Sequence, residues 1–148
     1  MYEQPKTVPV TRRLPPARAH NSSLHDRMPS AGGSAAAGAA QLTGHLAALH
    51  GATAAVRRSS GDPARQAELD TALEQISARI GALSPTAAAI RSEAGRVPAR
   101  SAAELDEHAH ALAGRLLVVA AARQDTATAM LACRRMDAHA AALSRLDS

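Results

Sequence analysis

The chain has 148 residues, of which 38 are alanine, and it contains no Phe or Trp and a single Tyr. This length holds one domain of ordinary size, and the composition excludes a core built on aromatic side chains. The formal net charge is +4, and the longest uncharged apolar run, residues 116–122, is far shorter than the roughly 20 residues that span a bilayer. The sequence therefore predicts a helical domain with a thin aliphatic core and no transmembrane segment.

Residues 1–33 differ in composition from the rest of the chain. They hold five of the eight prolines, and five basic against two acidic residues. Many prolines without helical apolar spacing are typical of disorder. We predict a disordered arm over 1–33 and a single alanine-rich helical domain over 34–148.

Aliphatic residues then recur at alternating intervals of four and three, which places them on one face of an α-helix. The first such stretch predicts a helix over about 35–58. The second predicts a helix over about 63–94, with Asp62 as its N-cap, Pro63 in its first turn and a kink at Ser84–Pro85.

A third helix is predicted over 102–146. Ser101 and Glu104 have the spacing of a capping box, and no proline follows them. Along this helix Cys133 falls on the apolar face, where it is expected to be buried as a small hydrophobic residue. The alternative, a break near residues 123–128, stays open at this point.

The three aliphatic faces together predict one packing seam in an antiparallel bundle or coiled coil. Because the third helix is about twice as long as the first, part of it lacks a partner in a three-helix arrangement. We therefore expect self-association or binding to another helical protein. The residues of the seam are Leu42, Leu46, Leu49, Leu69, Leu73, Ile76, Ile80, Leu105, Leu112, Leu116 and Val119.

Few side chains have the spacing that a metal site or a catalytic site requires. Glu107 and His110 form a Glu-x-x-His pair, and His108 lies between them. A di-iron site in a helical bundle needs a second such pair, which the sequence does not contain. These three residues are weak metal candidates and are more simply explained as a solvated helix surface. With no catalytic motif and no cofactor motif, the sequence predicts a protein that is not an enzyme and binds no cofactor.

The arginines allow a nucleic-acid interpretation. Arg12, Arg13 and Arg18 lie in the arm, and Arg57 and Arg58 end the first helix. Such cations can contact phosphates without sequence preference. The predicted helical domain has no Phe, Tyr or Trp on which bases could stack, so nucleic-acid binding is the less favoured interpretation.

The sequence thus favours a non-enzymatic interaction or assembly protein that acts through the helical seam. The alternative is a small basic accessory protein of a plasmid, phage or chromosome, for example in DNA transfer, that contacts nucleic acid or an anionic surface through its arm. Sixteen arginines to one lysine are typical of GC-rich bacterial coding, and a single cysteine fits the reducing cytoplasm.

Overall fold

The computed structural model describes residues 31–84, 100–146 and 148, which form four α-helices. The all-α class is confirmed for this part of the chain, but the prediction of three helices is wrong. The stretch 102–146 is divided between two helices, so the break is the alternative that the structure adopts. The bounds are α1 Ala31–Ser59, α2 Pro63–Leu83, α3 Ala102–Ala122 and α4 Thr126–Leu146.

Two of the predicted segments fall largely or wholly beyond the described residues. Most of the predicted arm, residues 1–30, and the predicted continuation of the second helix over 85–94 lie outside them. Residues 31–33, predicted to belong to the arm, are helical because α1 begins at Ala31. The second helix ends at Leu83, where the Ser84 N–H donates to the Ile80 carbonyl at 3.0 Å.

The starts of α2 and α3 match their sequence signals. Asp62 accepts a hydrogen bond from the Ala64 N–H at 3.0 Å, and Pro63 follows it in the first turn. Ser101 accepts from the Glu104 N–H at 3.2 Å, while the Glu104 carboxylate accepts from the Ser101 N–H at 2.7 Å. Both caps satisfy backbone donors that have no partner within the helix.

A tight turn separates α3 from α4. Gln124 has a φ of 57°, in the left-handed region that helices use to stop. Asp125 then caps α4, since its carboxylate accepts from the Thr128 N–H at 3.0 Å and from the Thr128 hydroxyl at 2.7 Å. Arg79 of α2 donates to the same carboxylate at 2.6 and 2.8 Å, which ties the turn to the neighbouring helix.

The contacts between the helices place them in the order α1, α2, α4, α3 around the bundle. α1 packs against α2 and α3, and α4 packs against α3 and less extensively against α2, so α1 and α4 face each other across a diagonal. The end of α1, the start of α2, the start of α3 and the end of α4 meet at one end of the bundle, called here the proximal end. Every pair of adjacent helices is therefore antiparallel, and α3 starts at the same end as α2.

The core has two parts along the bundle axis. Leu69 and Leu105 pack with Val56 near the proximal end, and a larger group centred on Leu46 and Leu116 fills the opposite, distal end. Alanines occupy the remaining interior positions where helices pack closely. Fully buried alanines are Ala109, Ala113, Ala120 and Ala132.

We predicted that part of a long third helix would lack a packing partner. That reasoning no longer applies, because the stretch forms two helices, α3 and α4. The second half of that stretch folds back onto the first instead of extending past the bundle. The turn also changes which residues of α4 face inward, so Cys133 is exposed and its predicted burial is wrong. No described helix is long and apolar enough to cross a membrane.

Candidate functional site

The predicted seam is the chain's own core. Seven of its residues are buried and four are half-buried, and nearly all of them pack in one of the two parts of the core. They contact each other rather than leaving a surface for a partner. The buried ones are Leu42, Leu46, Leu49, Leu69, Ile76, Leu105 and Leu116, and the half-buried ones are Leu73, Ile80, Leu112 and Val119.

The predicted anion contacts do not come together. Arg57 is engaged across the α1–α2 pair, where it donates from Nε and Nη2 to the two carboxylate oxygens of Asp70. Arg58 is exposed at the end of α1. Arg12, Arg13 and Arg18 lie outside the described residues.

The metal candidates lie on the outer side of α3. Glu107 and His108 are exposed and His110 is half-buried. Within the part of the chain that the structure describes, no group of three or more His, Cys, Asp or Glu side chains is arranged to hold a metal ion.

A polar network that the sequence did not suggest crosses the interior near the proximal end. Asp106 of α3 is 3% exposed, and its Oδ1 atom accepts from Arg65 of α2 at 2.6 Å and contacts Nδ1 of His139 at 2.8 Å. The carboxylate requires a donor at this distance, so Nδ1 carries the proton. One carboxylate therefore links α2, α3 and α4.

A second ion pair, between the buried Arg135 and the exposed Glu68, extends the network by one turn of α4. Arg135 precedes His139 by four residues, lies on the same face, and donates from Nη2 to Glu68 of α2 at 3.0 Å. The two arginines and the two carboxylates balance in charge while His139 is neutral. The network thus joins α2 to α3 through Arg65 and Asp106. It joins α2 to α4, the least extensively packed pair of neighbouring helices, through Glu68 and Arg135.

Several atoms in and near this network have no hydrogen-bond partner among the described residues. They are Oγ1 of Thr53, Nε2 of His139, and Nε and Nη1 of Arg135, and all are buried. Thr53 belongs to the same level of the bundle, because its neighbours Ala52 and Val56 pack with Leu105. Unpartnered polar atoms of this kind are commonly satisfied by internal water.

Burial lowers the pKa of His139 from its ordinary value. The hydrogen bond and charge of Asp106 act in the opposite direction, whereas the charges of Arg135 and Arg65 add to the lowering. Glu68 faces the site through Arg135, and α1 contributes the uncharged Thr53. The imidazole is only 1% exposed, so it acts inside the fold rather than on a molecule in solvent.

The lowered pKa of His139 makes the stability of the fold depend on pH. On acidification the unfolded chain binds a proton near the ordinary pKa of about 6.5, whereas the folded chain binds it only at lower pH. This contribution is fully present above about pH 7 and is lost progressively as the pH falls from about 6.5 through the lower pKa of the folded chain. We expect the free energy of unfolding in urea to decrease between about pH 7.5 and pH 5.5.

Two variants separate this effect from general acid sensitivity. His139→Asn keeps a side-chain N–H for Asp106 but has no titrating group, so its stability is expected to fall less over the same pH range. His108→Gln changes an exposed histidine and keeps the full decrease. Burial also lowers the pKa of His50, which contributes equally in both variants. A decrease in His139→Asn as large as in the unmodified chain contradicts the prediction.

A cavity of about 230 Å³ opens at the proximal end, next to the network. Its walls come from the α1–α2 turn and from the adjoining ends of α3 and α4. Asp106 and Arg65 line its inner part, and Arg145 and Leu146 lie at the last turn of α4. Leu146 is one of the few large apolar side chains that stay exposed in the described part of the chain.

Sequence reasoning missed the network for a physical reason. Its bonded residues are separated by up to 67 positions along the chain and meet only through the packing of three helices. The one local signal was the pair Arg135 and His139, which share a face four residues apart. A helix that starts after the break at 123–125 turns that face inward.

Comparisons with known proteins identify no relative: no protein family, no curated protein and no solved structure matches the chain.

Proposed function

We propose that the chain is a non-enzymatic helical interaction protein that self-associates through the projecting first turns of α1. The observation that carries this proposal is the length of α1, which has 29 residues while each of the other helices has 21. The short α1–α2 turn places the end of α2 level with about residue 39. The residues before it extend about two turns beyond the described end of α2.

The projecting turns continue the core face of α1 past the described parts of α2 and α3. Residues 33–37 are all exposed, and burial begins at Gly38, against which the Arg123 guanidinium lies. Ala35 is seven residues before Leu42 and therefore shares its face, whereas Ala37 lies on the opposite face. Short helices gain most of their stability from packing, which favours a contact that covers this end.

The surface chemistry favours a second copy of the chain as that contact. The described residues carry ten arginines and nine acidic side chains, so two bundles have little net repulsion. Side chains as small as those at 33–37 let two helices approach closely. A two-fold pairing brings the same two turns of each copy together. So short a contact is expected to give weak, concentration-dependent dimers.

The test compares two variants that differ only in the helix face they change. Ala35→Glu and Ala37→Glu introduce the same charge into the same exposed turns, where glutamate is compatible with helix and with the dipole. We expect sedimentation equilibrium of the full chain to show dimers at high micromolar concentration for the unmodified chain and Ala37→Glu, and monomers for Ala35→Glu. Circular dichroism checks that all three have the same helix content.

Two results overturn this proposal. One is a monomer at every concentration for the unmodified chain. The other is equal association of Ala35→Glu and Ala37→Glu, which shows that this face is not the contact. The proposed location is the cytoplasm, where the exposed thiol of Cys133 stays reduced.

A second candidate function is contact with nucleic acid or an anionic surface through the arm. The distribution of charge favours it, because residues 1–33 hold five basic and two acidic residues while the described helices are nearly neutral. Fluorescence anisotropy with labelled duplex DNA tests this candidate at low and moderate salt. Binding that weakens steeply with salt and disappears when residues 1–30 are removed supports it, and no binding at low salt removes it.

A further inference from the structure

The cavity at the proximal end combines apolar walls with charges of both signs. Val56, Ala102 and Ala142 form apolar wall positions, and Leu146 extends them to the opening. The acidic residues Asp62 and Asp106 and the basic residues Arg65 and Arg145 also line it. A ligand that matches this lining carries a positive group for the carboxylates, a negative group for the guanidinium groups and an apolar part for the walls.

The carboxylate of Asp106 is held in a fixed orientation with one oxygen unused. Its Oδ1 atom takes both the Arg65 and the His139 interactions. Within the described part of the chain no donor bonds to Oδ2. A carboxylate oxygen can accept further hydrogen bonds, and an ammonium group supplies charged donors for it.

The arginines provide the complementary half of the site. Arg65 uses Nη2 to hold Asp106 and has other guanidinium nitrogens beyond that bond. Arg145 lines the same cavity from the last turn of α4. Guanidinium groups recognise carboxylates through paired N–H donors, so this side of the cavity suits a carboxylate.

We propose that the cavity binds a small zwitterion with an aliphatic side chain, that is, a free amino acid such as leucine. The ammonium group faces Asp106, the carboxylate faces Arg145 and Arg65, and the side chain contacts Val56, Ala142 and Leu146. A simple anion leaves Asp106 and Asp62 facing negative charge, and a simple cation leaves the arginines facing positive charge. At about 230 Å³ the cavity is smaller than the roughly 300–1,000 Å³ of drug-sized sites, which suits a ligand of this size.

The experiment titrates the full chain with three ligands of similar shape and follows binding by isothermal calorimetry. The ligands are L-leucine, which has both charges, 4-methylpentanoate, which has only the carboxylate, and 3-methylbutylamine, which has only the ammonium group. We expect leucine to bind with a Kd in the millimolar range or below, and each singly charged ligand to bind about tenfold more weakly. Absence of leucine binding, or equal binding of either analogue, overturns the proposal.

Two exposed arginines of α4 provide a matched pair of variants. Arg145→Gln removes the cavity arginine, whereas Arg134→Gln makes the same change at an exposed position nearer the distal end. Leucine binding is expected to weaken about tenfold in Arg145→Gln and to stay unchanged in Arg134→Gln. An unchanged Kd in Arg145→Gln contradicts the assigned carboxylate contact.

A third variant tests whether leucine occupies the volume of the cavity. Ala142→Val adds two methyl groups to the cavity wall without changing its charge. It is expected to weaken leucine binding while thermal denaturation shows a folded chain. The leucine titrations do not depend on self-association. Each titration is repeated in Ala35→Glu, at concentrations where that variant is monomeric.

Discussion

Replacing Asp106 with alanine is expected to lower the free energy of unfolding by about 3–5 kcal/mol. The change removes the one carboxylate that contacts both Arg65 and His139. Arg65 then has no counter-charge in a position where its side chain is 15% exposed, and Nδ1 of His139 loses its acceptor. Urea denaturation followed by circular dichroism measures the change in the midpoint and slope.

Two further variants show whether the loss comes from the network. Asp137→Ala removes an exposed carboxylate from α4 and is expected to change stability by less than about 0.5 kcal/mol. The double variant Asp106→Ala with Arg65→Ala is expected to lose less than the sum of the two single changes, because neither charge is left alone. Strict additivity contradicts an energetic link between the two side chains.

Replacing Leu116 with alanine is expected to lower the free energy of unfolding by about 2–5 kcal/mol. Leu116 is completely buried in the distal part of the core, where it belongs to the same cluster as Leu46 and Ile76. Truncation leaves a void that close-packed helices fill only in part. Such a loss is a large fraction of the stability of a domain this size.

Val118 offers a control two residues away on the same helix. It has similar chemistry but is 69% exposed, so Val118→Ala is expected to change stability by less than about 0.5 kcal/mol. Helix propensity explains a loss of stability in neither variant, because alanine has the highest helix propensity of all residues. Equal losses for Leu116→Ala and Val118→Ala would show that α3 packs differently from its described position.

Local signals in the sequence predicted the starts of α2 and α3 correctly. Asp62 with Pro63 and Ser101 with Glu104 act within one turn of chain, so their hydrogen bonds require no knowledge of the tertiary fold. The aliphatic periodicity likewise predicted which face of α1, α2 and α3 is buried. These features depend on the spacing of residues along one helix and nothing else.

Local signals did not decide whether the helix breaks between α3 and α4. Asp125 and Thr128 have the spacing of a cap, yet alanines on both sides favour continuous helix. The bond from Arg79 to Asp125 and the packing of α4 on α3 both favour the turn, and both join distant parts of the chain. Periodicity carried through the break therefore assigned Cys133 to the core in place of His139.

The candidate sites depend on these long-range contacts even more strongly. Arg65, Asp106 and His139 belong to three helices, and only His139 has a local signal, which is Arg135 four residues earlier on the same face. The helix pairs that bring them together are set by apolar packing. The sequence therefore predicted the apolar faces but neither the network nor the cavity at the proximal end.

The buried alanines have a consequence for the thermodynamics of the fold. Alanine has no rotatable side-chain bond to fix, so Ala109, Ala113 and Ala120 lose no side-chain conformational entropy when they are buried. A thin core can then offset the backbone ordering that folding requires. Because each alanine exposes little apolar surface on unfolding, the heat-capacity change per residue is expected to be small, and the stability of the bundle should vary gently with temperature.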